Sequence, residues 1–307
     1  EELLFVHRIH PVDSVVLGCT HYPFVKDMIH FEIDDNLYER RIYHEIKKML
    51  AGYYPDAEAS ALAKMLLVEV LHFSTLELFG GKDKEVFKKD LDVLDEIIGR
   101  LKNHEPIQYI LGGEQFGGLS FGVNDNVLIP RPETLELVEW IVGDFCNKGS
   151  SRMLDIGTGS GCIAVSLAHR IKGAKVEAWD ISEGALAVAR KNAEKNEAEV
   201  LFQQMDVLKV TRSSMPRYDV IVSNPPYILE KEKTDMDTNV LDWEPSEALF
   251  VPDEEPLLFY HKIAELGCVA LAGGGALYFE INRLYGQEIL RMLEEMGYCK
   301  IELRKDL

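Results

Sequence analysis

Hydrophobic and polar positions divide the chain into a helical first part and a mixed second part. Between residues 36 and 103, apolar side chains recur every three or four positions, and this spacing is typical of amphipathic helices. The positions that carry the pattern include Leu37, Ile42, Ile46, Leu50, Leu62, Met65, Leu66, Val70, Phe73, Leu91, Leu94, Ile97, Ile98 and Leu101. The pattern predicts a bundle of about four helices. The glycine-rich, aromatic stretch 109–122 that follows predicts a β-hairpin between two domains.

From residue 153 onward, short apolar runs alternate with helical patterns. The runs predict strands at 153–156, 175–180, 200–205, 219–223, 276–281 and 299–303. The helical patterns lie at 162–170, 183–196, 256–272 and 287–296. This succession predicts an α/β domain, in which a mostly parallel sheet carries helices on both faces.

Composition excludes several classes of protein. The 307 residues suffice for two domains, and 52 acidic against 33 basic residues give a formal charge of −19. This charge repels a phosphate backbone, so direct nucleic-acid binding would need a local basic patch. No apolar run approaches the roughly 20 residues of a membrane helix. The five cysteines contain no Cys-x-x-Cys pair, which argues against a disulfide framework or a zinc site and predicts a reducing, cytoplasmic location.

The first candidate for chemistry is the sequence Asp-Ile-Gly-Thr-Gly-Ser-Gly-Cys at 155–162, between a predicted strand and a predicted helix. Glycines at such a turn let the backbone approach a ligand closely. The spacing Gly-x-Gly-x-Gly differs from the dinucleotide fingerprint, and Asp155 stands just before it. An acid there suits a cofactor with a cationic amino-acid end.

Two further acids end predicted strands. Asp180 ends the second strand, where a carboxylate can accept the ribose hydroxyls of a nucleoside. It could equally cap the following helix, although Ser182 is available for that task. Asp206 ends the third strand and could accept from an adenine amino group, on weaker grounds.

The most specific motif is Ser223-Asn-Pro-Pro-Tyr-Ile228, at the end of the fourth strand. Two prolines stiffen this loop and remove two amide donors, which leaves carbonyl acceptors. Asn224 adds a side-chain oxygen and Tyr227 an aromatic face. The loop therefore suits a planar group that carries NH2, either a carboxamide or an exocyclic amine.

These motifs together resemble class I S-adenosylmethionine-dependent methyltransferases that act on an amide or amine nitrogen. The surrounding sequence resembles the HemK/PrmC family over residues 36–307. The strings that carry this resemblance are Phe-Gly-Gly-Leu-Ser-Phe at 116–121, Val-Leu-Ile-Pro-Arg-Pro-Glu-Thr at 127–134, Trp-Glu-Pro-Ser-Glu-Ala-Leu at 243–249, and Glu280-Ile-Asn282 with Gln287. Members methylate the side-chain nitrogen (N5) of the glutamine in the Gly-Gly-Gln motif of class 1 peptide chain release factors.

The resemblance implies a methyl-donor site and an acceptor site. The residues that would hold S-adenosyl-L-methionine, and its product S-adenosyl-L-homocysteine, are Asp155, Ile156, Gly157, Thr158, Gly159, Asp180, Asp206, Val207 and Asn224. Asn224, Pro225, Pro226 and Tyr227 would hold the glutamine amide. Asn224, Pro225 and Tyr227 would be the catalytic groups.

The implied architecture is a Rossmann-like methyltransferase domain at 131–307, preceded by a helical domain at 36–105 and a hairpin linker at 106–130. The helical domain would help to recognise the release factor. The implied partner is thus a release factor, with neither a membrane nor a direct nucleic-acid substrate.

Three other interpretations remain open at this point. The same Asn-Pro-Pro-Tyr motif can hold an adenine amino group, so an N6-adenine DNA or RNA methyltransferase is the main alternative. Leu17-Gly-Cys-Thr-His-Tyr-Pro23 resembles one catalytic motif of glutamate racemase, with Cys19 and His21 in it, although a second matching cysteine motif is missing. Residues 1–35 are therefore interpreted as a racemase-like remnant or an extension. The third alternative is a non-catalytic protein that binds the methyl donor and acts as an adaptor, but such a protein would not need the Asn-Pro-Pro-Tyr loop.

Overall fold

The computed structural model describes residues 2–8, 12–14, 39–74, 88–211 and 215–305. Within them the chain forms two compact units. The smaller unit holds the helices that end at Leu111, and the larger unit holds two N-terminal strands and the chain from Gly112 onward.

The smaller unit contains four described helices: α1 (Glu39–Leu50), α2 (Asp56–Glu69), α3 (Lys88–Leu101) and α4 (Ile107–Leu111). Pro55 precedes α2, and two acids stand in that helix's first turn, where they complement the helix dipole. Most of the predicted apolar positions form the core: Ile46, Leu50, Leu62, Leu66, Leu94, Ile97, Ile98 and Leu101 are all buried. Leu91, predicted on the same face, is exposed because it lies near the start of α3, away from the packed turns. The short helix α4 was not predicted; Pro106 precedes it and accepts its first backbone hydrogen bonds, and Ile107 and Tyr109 are buried.

The predicted hairpin is formed by β3 (Gly113–Phe116) and β4 (Leu119–Gly122). Two asparagines bind the backbone of the hairpin: Asn192 lies in α7 (Glu183–Lys195), and Asn196 is the C-cap of that helix. Asn192 Oδ1 accepts from the Gly122 amide at 2.6 Å, and Asn196 Nδ2 donates to the Ser120 carbonyl at 3.0 Å. The hairpin is therefore fixed to the larger unit.

The rest of the larger unit alternates strands and helices as predicted. Its first half comprises α5 (Pro132–Phe145), β5 (Arg152–Ile156), α6 (Cys162–Arg170), β6 (Lys175–Asp180), α7 and β7 (Val200–Gln204). Its second half comprises β8 (Tyr218–Ser223), β9 (Ile228–Leu229), α8 (Thr238–Trp243), α9 (Ser246–Leu249), β10 (Phe250–Val251), α10 (Leu258–Ala270), β11 (Leu271–Glu280), α11 (Gly286–Glu295) and β12 (Tyr298–Lys305). Short 3-10 turns lie at Val207–Lys209, Glu230–Asp235 and Arg283–Tyr285.

The main sheet has the strand order β12-β1-β11-β8-β5-β6-β7, where β1 is Glu2–Arg8. The pairs from β11 through β8, β5 and β6 to β7 are all parallel. β1 is antiparallel to both β11 and β12, and β2 (Val12–Ser14) pairs with β11 in parallel. The chain leaves β5 toward β6 on one side and returns to β8 on the other, so the strand order reverses at β5.

Alternate residues along the strands face two different apolar layers. Leu154 and Ile156 of β5 face the layer that contains α10 and α11, whereas Met153 faces the layer that contains α5 and α6. This period of two, on a sheet covered on both faces, explains why the central strands β5 and β8 are buried nearly throughout. No helix in the described part of the chain is long and apolar enough to cross a membrane.

β11 begins five residues before its predicted start. Leu271 pairs with Tyr218, and an irregularity in the register separates this pair from the next one at Ala276. The intervening glycines are poor strand formers, but a neighbouring strand supplies the pairing that overrides this preference. β12 likewise runs longer than predicted, because β1 pairs along it.

Candidate active site

The carboxyl ends of four neighbouring strands bring together the predicted site residues other than Asp206 and Val207, which follow β7. Across the sheet, Trp179 of β6 pairs with Ile156 of β5, which pairs with Ser223 of β8, which pairs with Phe279 of β11. The next residue on each strand therefore belongs to one edge of the sheet. In open α/β folds, ligands bind at this edge, where the strand order reverses.

The glycine loop after β5 is tied to the neighbouring strand. The amides of Gly157 and Thr158 both donate to the Trp179 carbonyl, at 2.8 and 2.9 Å. Gly159 adopts a φ of +54°, and a Cβ added there would meet no atom within 4 Å. The loop thus exposes backbone to open space, which is what close approach of a ligand requires.

Asp180 links this loop to the end of β6. Its Oδ2 accepts from the Gly159 amide at 2.8 Å, and its Oδ1 accepts from the Ser182 amide at 2.9 Å. Ser182, not Asp180, caps α7, since its hydroxyl oxygen accepts from the Ala185 amide. Burial raises the pKa of Asp180 above its usual value, while the backbone amides of Ser182, Gly159 and Ile181 oppose this rise. Each carboxylate oxygen can still accept a second donor.

Asp155 lies beneath the loop and is fully buried. The Thr158 hydroxyl donates to its Oδ2 at 2.6 Å, whereas Oδ1 has no hydrogen-bond partner among the described residues. Burial raises the pKa of Asp155 to about 7, and the Thr158 hydroxyl and the nearby Ala164 backbone amide counteract only part of that rise. A buried carboxylate with one unmatched oxygen favours a cationic neighbour.

Asp206 follows β7 and is already engaged by its own segment. Its Oδ1 accepts from the Leu208 amide at 3.0 Å, and Lys209 Nζ lies 2.8 Å from its Oδ2. The Lys209 ammonium lowers the pKa of this carboxyl group. Val207 beside it is buried. The predicted contact of Asp206 with adenine therefore stays a prediction.

These features together fit an S-adenosyl-L-methionine molecule. The unmatched oxygen of Asp155 suits its cationic amino-acid end, the open glycine loop suits close backbone approach, and Asp180 offers two carboxylate oxygens for ribose hydroxyls. No part of this donor set resembles a metal site, and the described residues contain no group of three or more His, Cys, Asp or Glu side chains that could hold one.

The Asn-Pro-Pro-Tyr loop, residues 224–227, begins directly after β8 and is called the acceptor loop below, after the methyl acceptor it is predicted to hold. Ser223 is buried and donates from Oγ to the Ile156 carbonyl at 2.6 Å, so the acceptor loop and the glycine loop start from bonded residues. Asn224 is partly exposed, and its Nδ2 lies 3.4 Å from Thr134 Oγ1. Pro225 is buried and Pro226 is partly exposed.

Tyr227 is held at both ends. Its hydroxyl donates to Glu280 Oε1 at 3.4 Å, and its backbone carbonyl accepts from Asn282 Nδ2 at 3.1 Å. The side chain is only 7% exposed and packs in the core, so it restricts the movement of the loop. Stacking of Tyr227 on a bound amide stays a prediction.

Two family models match the chain in succession. Residues 42–112 match the PrmC N-terminal domain, and residues 139–242 match the methyltransferase small domain. The release factor glutamine methyltransferase of Bacteroides thetaiotaomicron is 51% identical over 267 residues, which cover 87% of this chain and 95% of the relative. The enzyme of the same name from Flavobacterium psychrophilum is 43% identical over 261 residues, covering 84% and 91%. That from Lactococcus lactis is 44% identical over 213 residues, covering 69% and 77%.

The chain belongs to the release factor glutamine methyltransferases. Membership in this family confirms three predictions made from the sequence: the family itself, the α/β methyltransferase fold and S-adenosyl-L-methionine as the methyl donor. It favours a glutamine acceptor over the N6-adenine alternative. Cys19 and His21 of the racemase-like segment lie outside the described residues.

Two polar residues that contact the Asn-Pro-Pro-Tyr loop of this release factor glutamine methyltransferase were not singled out from the sequence. Glu280 ends β11 and is fully buried, and its Oε2 accepts from the Thr134 hydroxyl at 2.7 Å. Glu280 carries the same signal as Asp180, an acid at the carboxyl end of a parallel strand, and could have been found by that rule. Thr134 lies 146 positions away in the first turn of α5, and no sequence spacing indicates their contact.

The segment that leads into α5 is anchored by an ion pair between the partly exposed Arg131 and the buried Glu244. Arg131 Nη2 bonds Glu244 Oε1, and the Ile129 amide donates to Glu244 Oε2 at 3.3 Å. Arg131 has extended dihedrals and Pro132 follows at the start of the helix. This anchor sets where the first turn of α5, and with it Thr134, meets the strand ends.

Proposed function

We propose that this chain transfers the methyl group of S-adenosyl-L-methionine to the side-chain amide nitrogen (N5) of the glutamine in the Gly-Gly-Gln motif of class 1 release factors. The observation that carries the proposal is the hydrogen bond between Ser223 and Ile156. It joins the Asn-Pro-Pro-Tyr loop, which is rich in hydrogen-bond acceptors, to the glycine loop at one edge of the sheet. The 51% identity to a release factor glutamine methyltransferase supports the same acceptor.

The difficulty of the reaction lies in the acceptor. An amide nitrogen shares its lone pair with the adjacent carbonyl and is a poor nucleophile. S-adenosyl-L-methionine, when bound by the glycine loop, Asp155 and Asp180, supplies a methyl group already activated on a sulfonium sulfur. The protein therefore has to bind, orient and stabilise charge at the nitrogen.

Asn224 and Pro225 supply hydrogen-bond acceptors that orient the amide nitrogen and stabilise the charge on it. The Asn224 side-chain oxygen and the Pro225 backbone carbonyl accept the two N–H groups of the glutamine amide and direct its nitrogen toward the methyl group. As positive charge grows on nitrogen during transfer, both hydrogen bonds strengthen, so they stabilise the transition state more than the bound substrate. The surplus proton becomes acidic only as the methyl group arrives and then passes to water. No general base is needed before that point.

Recognition of the release factor as a whole falls to the smaller unit. Residues 42–112, which match the PrmC N-terminal domain, form this contact in the proposal. The net charge of −19 disfavours a direct nucleic-acid substrate. A release factor as partner implies the cytoplasm as the location.

The test is methyl transfer from labelled S-adenosyl-L-methionine to a purified class 1 release factor, beside the same factor with its Gly-Gly-Gln glutamine replaced. Label on the first and none on the second is the expected result. Label on both, or on neither while donor binding is intact, would overturn the proposed acceptor.

Asn224→Ala is the companion variant for the enzyme. It should lose methyl transfer while its affinity for S-adenosyl-L-homocysteine, measured by calorimetry, stays within about threefold of the wild type, since one side-chain amide at the edge of the donor site is lost. Donor affinity that falls in step with turnover would contradict the assigned role.

A further inference from the structure

The Thr134 hydroxyl lies between a buried carboxylate and the candidate catalytic amide. Thr134 Oγ1 is 2.7 Å from Glu280 Oε2 and 3.4 Å from Asn224 Nδ2. Glu280 is fully buried and Thr134 is 2% exposed, so water does not compete at their bond. The three side chains form a chain of contacts that leads from the core to the acceptor loop.

The direction of the hydrogen bonds along this chain follows from the number of protons available. With Glu280 ionised, its carboxylate can only accept, so the single hydroxyl proton of Thr134 points to Glu280. Thr134 Oγ1 is then left with lone pairs toward Asn224, and only the NH2 end of that amide can face it. If the amide were turned over, its oxygen would meet another oxygen with no proton between them.

We infer that Glu280 and Thr134 are positioning residues that fix the Asn224 amide with its oxygen toward the acceptor. The inference rests on the proposed function, in which that oxygen accepts an N–H of the glutamine. The reversed amide would present NH2 to the NH2 of the substrate, and one of the two acceptors that stabilise charge on nitrogen would be lost. The 3.4 Å bond between Asn224 and Thr134 is long, and catalytic hydrogen bonds commonly shorten once the acceptor is bound.

Glu280 has a second contact with the same loop. The Tyr227 hydroxyl donates to its Oε1 at 3.4 Å, and Asn282, two residues further on, donates to the Tyr227 carbonyl at 3.1 Å. One carboxylate thus constrains both the first and the last residue of Asn-Pro-Pro-Tyr. This explains why an acid, and not another acceptor, suits the end of β11.

Three substitutions distinguish an effect of the hydrogen-bond direction at Thr134 from an effect of changed side-chain packing. Thr134→Val keeps the shape and removes the oxygen that accepts from Asn224. Thr134→Ser keeps the oxygen and its proton and removes only a methyl group. Glu280→Gln keeps the size of the side chain, but its NH2 group can donate to Thr134. The Thr134 hydroxyl proton is then free to point at Asn224, so the Asn224 side-chain amide can also bind in the reversed orientation.

The first readout does not depend on activity. In 15N-labelled protein, the side-chain amide signals of Asn224 are assigned by their loss in Asn224→Ala. These signals should move in Thr134→Val and Glu280→Gln and stay in place in Thr134→Ser. Signals that stay in place in Thr134→Val would overturn the inference, whether or not the wild type methylates a release factor.

The second readout is the kinetics of methyl transfer. Thr134→Val and Glu280→Gln should lower kcat about 10-fold or more, the scale of a misoriented catalytic group, with KM for the release factor and affinity for S-adenosyl-L-homocysteine within about twofold. Thr134→Ser should stay close to the wild type. A kcat for Thr134→Val within about threefold of the wild type, or an equal loss in Thr134→Ser, would overturn the positioning role. Failure of the wild type to label the glutamine would instead count against the proposed function, and the amide signals would still decide the inference.

Discussion

The Ser223 hydroxyl donates a 2.6 Å hydrogen bond to the backbone carbonyl of Ile156, on the neighbouring strand. Ile156 is the last residue of β5 before the glycine loop, and Ser223 is the last residue of β8 before Asn224. The bond therefore fixes the distance between the two loops that would hold methyl donor and methyl acceptor. Methyl transfer depends on that distance more strongly than does binding of either partner alone.

Ser223→Ala is expected to lower kcat more than it lowers donor affinity, because it removes the bond between the loops and leaves each loop intact. The loss of one buried hydrogen bond should also reduce the free energy of unfolding by about 1–2 kcal/mol, measured by urea titration. Ser166 on α6 is the matched control: its hydroxyl is equally buried but has no hydrogen-bond partner within the described structure. Ser166→Ala should leave both quantities close to the wild type. Equal effects of the two substitutions would contradict a special role for Ser223.

Asp180→Ala is expected to weaken binding of S-adenosyl-L-homocysteine by about 1–3 kcal/mol, the scale of lost hydrogen bonds to a charged group. Asp180 also holds the Gly159 amide, so the loop loses a support at the same time. Asp206→Ala serves as the comparison, since that carboxylate is bound by Lys209 and the Leu208 amide. Its effect on calorimetric affinity should be smaller than that of Asp180→Ala. Unchanged affinity in Asp180→Ala would remove this residue from the donor site.

Much of this site is predictable from the sequence because the carboxyl ends of parallel strands meet at one edge. That rule needs only the strand positions, and from them it places Asp155, Asp180 and Asn224 together. The strands themselves are predictable because a sheet covered on both faces requires continuous apolar runs. The start of β11 was missed since its glycines are typical of a loop, and only the pairing with Tyr218 of β8 makes them part of a strand.

Contacts between distant segments could not be predicted in the same way. Thr134 meets Glu280 across 146 positions, where the ion pair between Arg131 and Glu244 and the buried apolar face of α5 hold the start of that helix. The burial of Tyr227 likewise depends on packing of side chains from α10 and β11 around it. Sequence indicates which residue types stand at strand ends, but not how deep each side chain lies.

Gly159→Ala and Gly161→Ala should separate ligand binding from helix packing. Both glycines have positive φ, so each substitution strains the backbone by about 1–2 kcal/mol. A Cβ at Gly159 meets open space, whereas a Cβ at Gly161 lies 3.1 Å from the Cβ of Ala189 on α7. Gly161→Ala should therefore lose about 1–3 kcal/mol more stability, while Gly159→Ala should lose more donor affinity. Thermal unfolding and calorimetry distinguish the two, and the opposite ranking would show that the loop does not contact the donor.

Stability should fall as pH rises because of Asp155. Burial raises its pKa in the folded chain to about 7, from an ordinary value of 3.8, so the folded state holds the proton more tightly than the unfolded state. The stabilising effect of this proton is fully present below about pH 4 and is lost as pH rises through 7, and between pH 5.5 and 8 the loss is roughly 2 kcal/mol. The difference in free energy of unfolding between the wild type and Asp155→Asn isolates this contribution. A difference that does not change with pH would show that Asp155 titrates normally.

Donor binding should release a proton from the same carboxyl group. A cationic amino-acid end near Asp155 favours its ionised form, so affinity for S-adenosyl-L-homocysteine should increase as pH rises toward 7 and level off above it. Calorimetry at pH 6.5 in buffers of different ionisation enthalpy measures the proton directly. The wild type should release a larger fraction of a proton per bound ligand than Asp155→Asn, which keeps every other titrating group. Equal release by the two proteins would mean that Asp155 supports the loop through Thr158 without facing the charge of the ligand.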